Sequence, residues 1–193
     1  MKPEYLYIHT EGASHGFDAV NAWHKSQDFP KSSLGYYCGY HYYCDLTGKR
    51  IQARKDTDIG AHCVGYNEKS LAYCSMGNGD TEQLTVNQRH DLRLWIKEKM
   101  IEYGIPPDKV KGHRWADSAK AQGKTCPGKN LTDKEIFEMA NWKAIELEAR
   151  EKYDLAEKNR KEAEEKMKSA MTKLIELLQL KVEYLLQLMK IKK

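Results

Sequence analysis

The sequence predicts a mixed α/β domain followed by a long C-terminal α-helical tail. Three features carry that prediction. Apolar runs of strand length alternate with stretches of helical spacing up to about residue 142. Histidines stand where strand-like runs stop, at His9 and His113. Beyond Trp142 there is no glycine, proline, histidine or cysteine, and Glu, Lys, Leu, Ala and Met, which are strong helix formers, take over. The expected division is residues 1–142, a domain that carries the chemistry, and residues 143–193, a helical or coiled-coil tail.

The elements follow in order. EYLYIHT is a short apolar strand ending near His9, and FDAVNAWHKS has helical spacing through Phe17, Val20 and Trp23. GYHYYCD and LTGKRIQAR read as two strands around a Thr-Gly turn, and SLAYCSM as another strand. The clearest helix is LTVNQRHDLRLWIKEKMIEYG. Thr85 and Gln88 form a capping-box pattern at its start, and Leu92, Trp95, Ile96, Met100 and Tyr103 share one face. Gly104 and the Pro106-Pro107 pair end it. DKVKGH is a short strand running to His113. Thr132 and Glu135 repeat the capping-box pattern, so a helix starts near Asp133, with the tail as its possible continuation.

The tail has a heptad pattern. Met167, Met171, Leu174, Leu178, Leu185 and Leu188 follow it, and Lys181 occupies the one intervening position. Ile175, Leu177, Leu180, Val182 and Leu186 lie off that line, so the helix is apolar on more than one face. Such a helix needs a partner: a second copy that would make a homo-oligomer, the domain before it, or an anionic envelope or membrane surface. The tail holds 13 Lys and Arg against 10 Asp and Glu, so it carries about +3 of the chain's +4. That charge is mild and does not predict a nucleic-acid partner.

The opening residues MKPEYLYIHTEG lack an apolar core of signal-peptide length, and no run of 18 apolar residues occurs. The expectation is a chain synthesised in the cytoplasm without a signal peptide. Five irregularly spaced cysteines argue against a disulfide framework. Cys38, Cys44, Cys63 and Cys74 sit in apolar surroundings and read as small buried hydrophobes. Cys126 differs. It lies in the turn GKTCPG, where a packed thiol, half of a disulfide, a nucleophile and a metal ligand are all open readings. Two imidazoles and one thiolate are a recognised zinc set, and three protein ligands leave a fourth position for water. His9, His113 and Cys126 could supply that set, although spacing alone does not establish it.

Four stretches taken in order carry a resemblance: YIHTEGAS, GYHYYCDLTGKRIQARKDTDIGAHCVGYNEKSLAYCSMG, the helix after them, and GHRWADSAKAQGKTCPG. Over roughly residues 5–140 they resemble the zinc-dependent N-acetylmuramoyl-L-alanine amidases of the amidase-2 family, which includes amidase-type bacteriophage lysozymes and peptidoglycan recognition proteins. The resemblance implies a mixed central β-sheet flanked by helices. It implies that His9, His113 and Cys126 bind Zn2+, that Tyr40 faces the zinc-bound water, and that Lys124 stabilises the oxyanion. His62, Tyr66, Asn67 and Trp115 would line the substrate groove. Thr10 follows the first ligand where relatives often have a second histidine or a small polar residue, and the segment from His113 to Cys126 is longer than in the phage lysozymes.

The implied reaction is hydrolysis of the amide between N-acetylmuramic acid and L-alanine in bacterial peptidoglycan, by a zinc-activated water. With no signal peptide expected, an endolysin reaching the wall after membrane permeabilisation suits the chain. The alternative is a peptidoglycan-binding recognition module that does not cut.

Overall fold

The computed structural model describes residues 2–191, with side chains described through Met189. The chain divides into two compact units, Met1–Trp142 and Lys143–Lys193. Five strands make one mixed sheet in the first unit: β1 (Tyr5–Thr10), β2 (Tyr42–Cys44), β3 (Arg50–Gln52), β4 (Ser70–Ser75) and β5 (Val110–Gly112). Their order across the sheet is β3-β2-β4-β1-β5. β1 lies parallel to both β4 and β5, β2 is parallel to β4, and only β3 runs antiparallel, as the second arm of the Thr-Gly hairpin.

The helices of this unit are α1 (Phe17–Ser26), α2 (Val86–Tyr103), α3 (Asp117–Ala121) and α4 (Asp133–Ala140). Both capping boxes form as the sequence predicts: Thr85 with Gln88 starts α2, and Thr132 with Glu135 starts α4. Gly104 ends α2 in the left-handed conformation that releases a helix at least cost.

Strand alternation sorts the core into two layers. Leu6, Ile8, Leu71 and Tyr73 point to the side covered by α2 and α4, where Leu92, Trp95, Ile96 and Ile136 meet them. The in-between residues face the opposite side. There Cys74 and Tyr43 pack with Val20 of α1, and Tyr7 packs with Cys63, Ala116 and Ala119. Cys38, Cys44, Cys63 and Cys74 are all buried free thiols. His9 shares the parity of Tyr7, so the same period places it on the α1 side, at the carboxyl end of β1.

Three local expectations change. The helix starting at Asp133 stops at Ala140, and a separate helix, α5 (Trp142–Ile191), follows Asn141. The inward residues of α1 are Val20 and His24, while Trp23 is 59% exposed. The long segment after His113 is not a bare loop: a 3-10 turn (His113–Trp115) and α3 occupy it.

α5 runs for 50 residues, a rod of about 75 Å at 1.5 Å per residue. Its apolar side chains, from Ile145 through the Leu174–Leu188 stretch to Met189, are all exposed. Among the described residues no helix is long and apolar enough to cross a membrane.

Candidate metal centre and its groove

In parallel regions of an open sheet, sites form beyond the carboxyl ends of the strands. Here β1 and β5 are hydrogen-bonded neighbours, with Ile8 opposite Gly112. The residues that follow each of them, His9 and His113, therefore leave the sheet side by side, with ring centroids 4.5 Å apart. Cys126 arrives from a distant loop, and its Sγ lies 3.6 Å from His9 Nδ1. The ligand atoms of His9, His113 and Cys126 all lie within 4.8 Å of one another.

The donor set fits zinc. On a tetrahedral ion with bonds of 2.0–2.3 Å, nitrogen and sulfur ligands stand about 3.6 Å apart, which matches the separation of His9 and Cys126. The thiol is free, so the disulfide reading is excluded. Burial pushes the Cys126 thiol up to about 11, the reverse of what an activated nucleophile needs. Burial also holds His9 well below the usual histidine range, and His113 down to about 4. Both imidazoles are then neutral at physiological pH, as ligands must be, and an ion binding there would displace the thiol proton.

Cys126 is placed by backbone contacts and one arginine. The Arg114 N–H donates to the Cys126 carbonyl at 2.7 Å. Its guanidinium donates to the carbonyls of Thr125, Gly128 and Leu131 and pairs with Asp133. The Thr10 hydroxyl donates to the Pro127 carbonyl at 3.2 Å, tying the loop to the end of β1. Gly79 makes room for it: a Cβ there would come within 1.8 Å of the Pro127 oxygen.

Around the cluster is a cavity of about 380 Å³, lined by Trp23, His24, Phe29, Tyr40, His62, Asn67, His113, Ser118, Gln122 and Lys124 among others. A second cavity of about 450 Å³ begins where Trp23, His24 and Tyr40 end the first, and reaches Glu11, His15 and Ala19. Tyr40 stands between them, its ring 5.0 Å from that of His9. The Lys124 ammonium depresses the pKa of both His9 and His113, so its field reaches the cluster.

The residues expected to line the groove divide. His62 and Asn67 line the cavity, but much of their polar capacity is used internally. Asn67 Oδ1 accepts from the backbone N–H groups of His62 and Cys63. His62 Nδ1 lies 3.2 Å from His9 Nε2, and its Nε2 lies 3.3 Å from Ser70 Oγ. Tyr66 packs edge-on against Tyr5 and Tyr7, with Lys69 over its face. Trp115 is placed elsewhere too: it sits under Lys111 and Lys120 and, with Ile136 and Phe137, borders a separate small cavity.

Sequence reasoning missed Trp23 and His24. The helical period was visible and Val20 faces inward, but the next inward residue is His24 rather than Trp23. His24 stacks on Phe29 at 4.4 Å, and its Nδ1 accepts from the Gly39 N–H, so it holds the segment that presents Tyr40.

Two buried histidines outside the cluster make stability pH-dependent. His41 Nδ1 accepts from the Ala72 N–H, and its Nε2–H donates to the Asp58 carbonyl, so it is held neutral. Burial, the main cause in each, pushes His41 and His24 down to about 4. An unfolded histidine titrates near 6.5. Between those values the unfolded chain binds more protons, so stability is full above about pH 6.5 and is lost as the pH falls toward 4. His41 alone contributes a slope of up to about 1.4 kcal/mol per pH unit in that window, and His24 acts in the same direction. Urea midpoints measured between pH 7 and 4.5 should fall accordingly. A flat profile would mean that these rings are hydrated.

Fold and cluster together define an α/β domain that brings two histidines and a cysteine together at its strand ends. The chain belongs to the N-acetylmuramoyl-L-alanine amidase family Amidase_2, whose model matches residues 1–129. Peptidoglycan-recognition protein SC2 of Drosophila melanogaster and that of Drosophila simulans are each 29% identical to it over 120 residues, 61% of this chain and 62% of theirs. The match thus spans less than two thirds of those relatives. Among solved structures, the amidase LysC from Clostridium intestinale URNW superposes with a TM-score of 0.60 at 23% identity, covering 70% of this chain and 83% of that one. The Ph2119 endolysin of a Thermus scotoductus MAT2119 bacteriophage gives 0.58 at 17%, covering 72% and 86%. At these identities the two structures share its fold.

Proposed function

We propose that the protein is a zinc-dependent N-acetylmuramoyl-L-alanine amidase acting on bacterial peptidoglycan, of the endolysin kind. The observation that carries this reading is the convergence of His9, His113 and Cys126 beside a cavity lined by His113 together with Tyr40 and Lys124. Family membership supports it. So does the likeness to LysC, an N-acetylmuramoyl-L-alanine amidase of the same fold.

Bound there, zinc would supply Lewis acidity and lower the pKa of water toward roughly 7. The chain's own groups do the rest. His9, His113 and Cys126 fix the position of the ion. Lys124 places a positive charge where the amide oxygen gains negative charge, and removing one such group typically costs on the order of 10²–10³ in rate. The Tyr40 hydroxyl orients the attacking water and passes a proton toward the leaving amine. Trp23 and Phe29 give the groove an apolar wall against which a sugar or stem peptide can lie.

The test is the bond that breaks. Cleavage of purified peptidoglycan should release new alanine amino groups without new reducing ends, and a chelator should stop it. Binding to the wall with neither product would make the domain a recognition module instead.

The tail belongs to the same proposal as a self-association helix. Its heptad line is exposed along α5, and a second copy would bury that line. Deleting residues after about 145 should lower the mass seen by light scattering while leaving metal content unchanged. If full-length and truncated chains are both monomers, the helix serves another surface, and vesicle co-sedimentation would then identify an anionic membrane.

A further inference from the structure

A histidine that binds a metal through one nitrogen carries its proton on the other, and the acceptor of that proton fixes the ring. His9 turns Nδ1 toward Cys126, so Nε2 is the protonated nitrogen, and the atom facing it at 3.2 Å is His62 Nδ1. That nitrogen must accept, which puts the His62 proton on Nε2. His62 Nε2 faces Ser70 Oγ at 3.3 Å, and the Ser70 hydroxyl donates in turn to the Tyr66 carbonyl at 2.7 Å. Every donor in this chain has one acceptor, and the direction is set from both ends.

The surroundings leave His62 little freedom. Asn67 clamps the backbone on either side of its peptide unit. Gly60 lies against the ring so closely that a Cβ there would come within 2.5 Å of His62 Cδ2. The ring of His41 packs at 5.9 Å and that of Tyr7 at 6.3 Å. Ser70 is fully buried at the start of β4 and cannot reach a substrate.

We infer that His62 is a positioning residue of the metal centre: through the chain His9–His62–Ser70–Tyr66 carbonyl it fixes the tautomer and orientation of the His9 ring, rather than serving chiefly as a substrate contact. This rests on His9 being a metal ligand, as proposed above.

The experiment is zinc affinity by chelator competition, with the thermal stability of the metal-free protein measured alongside. His62→Phe keeps a ring but removes the acceptor. It should weaken zinc binding by roughly 10–100-fold, the usual cost of losing such a partner. His62→Gln, which can still accept and donate, should restore most of the affinity. Ser70→Ala should weaken binding in the same direction by less, and keeps the test decisive if His62→Phe does not fold. Zinc affinity unchanged in both His62→Phe and Ser70→Ala would overturn the inference while leaving the metalloamidase reading intact. A wild-type protein that binds no zinc would overturn that reading and this one with it. Equal losses in zinc affinity and metal-free stability, with no recovery in His62→Gln, would show a packing role and also overturn it.

Discussion

On the proposed function, Cys126→Ser should leave a folded protein that neither retains zinc nor cleaves peptidoglycan. The oxygen is a harder and shorter ligand than the thiolate and stays protonated at neutral pH, so the site drops from three strong ligands to two. Partners that only support a ligand cost roughly 10–100-fold in metal affinity when removed. Loss of a ligand itself must cost more, and turnover should fall by at least the 10²–10³ typical of one electrostatic group. Folding should survive because the loop is held by other groups: Arg114 on the carbonyls of Thr125, Gly128 and Leu131, and Thr10 on that of Pro127. Metal content by mass spectrometry and the release of alanine amino groups check the two losses together. Retention of both would make Cys126 a packed thiol, and loss of metal with full activity would remove zinc from the mechanism.

Arg54→Met should be strongly destabilising although it lies outside the cluster. Arg54 is 2% exposed, yet no carboxylate pairs with it among the described residues. Its guanidinium instead donates to the carbonyls of Cys38, Ile59 and Pro30, at 2.7, 3.0 and 2.6 Å. Those carbonyls belong to the two loops that carry Tyr40 and His62. Methionine fills part of the volume but leaves the buried Cys38 carbonyl without its donor, at about 1–3 kcal/mol, and removes the half-buried bonds to Ile59 and Pro30 at about 0.5–1.5 kcal/mol each. A total of roughly 2–4 kcal/mol is a large fraction of the about 5–15 kcal/mol by which domains are stable. Urea unfolding reads it directly. Arg54→Lys should recover only part, because a single ammonium cannot span three carbonyls as the planar fork does. A loss below about 1 kcal/mol would show that the loops are held by other contacts.

The legible parts of the structure were those set by neighbours in the chain. The two capping boxes, the stop at Gly104 and the Thr-Gly hairpin each depend on residues within a few positions of one another, and all formed. The apolar run EYLYIHT was also enough to give β1. Where a reading required a phase rather than a period, it slipped. Helical spacing in FDAVNAWHKS was plain, but only packing against the sheet selects Val20 and His24 as the buried pair and leaves Trp23 to the groove. The break at Asn141 was equally hidden, since helix formers continue on both sides of it.

The site divides in the same way. His9, His113 and Cys126 were identified by resemblance, and the reason they can meet is topological: β1 and β5 are parallel neighbours, so their ends coincide. Trp115 and Tyr66 were assigned to the groove by the same resemblance. A side chain two or four positions from a site residue can point in another direction, and here those directions lead to Lys111 and to Tyr5. By itself, then, the sequence determined the kinds of element, where the helices begin, the heptad line of the tail and the chemistry available to the site. Only the tertiary structure decided which nitrogen of His9 faces Cys126, what holds His62, and which aromatic rings reach the groove. Local patterns fix periodicity through short-range sterics and hydrogen bonds, whereas strand register and loop path are fixed by contacts between residues far apart in the chain.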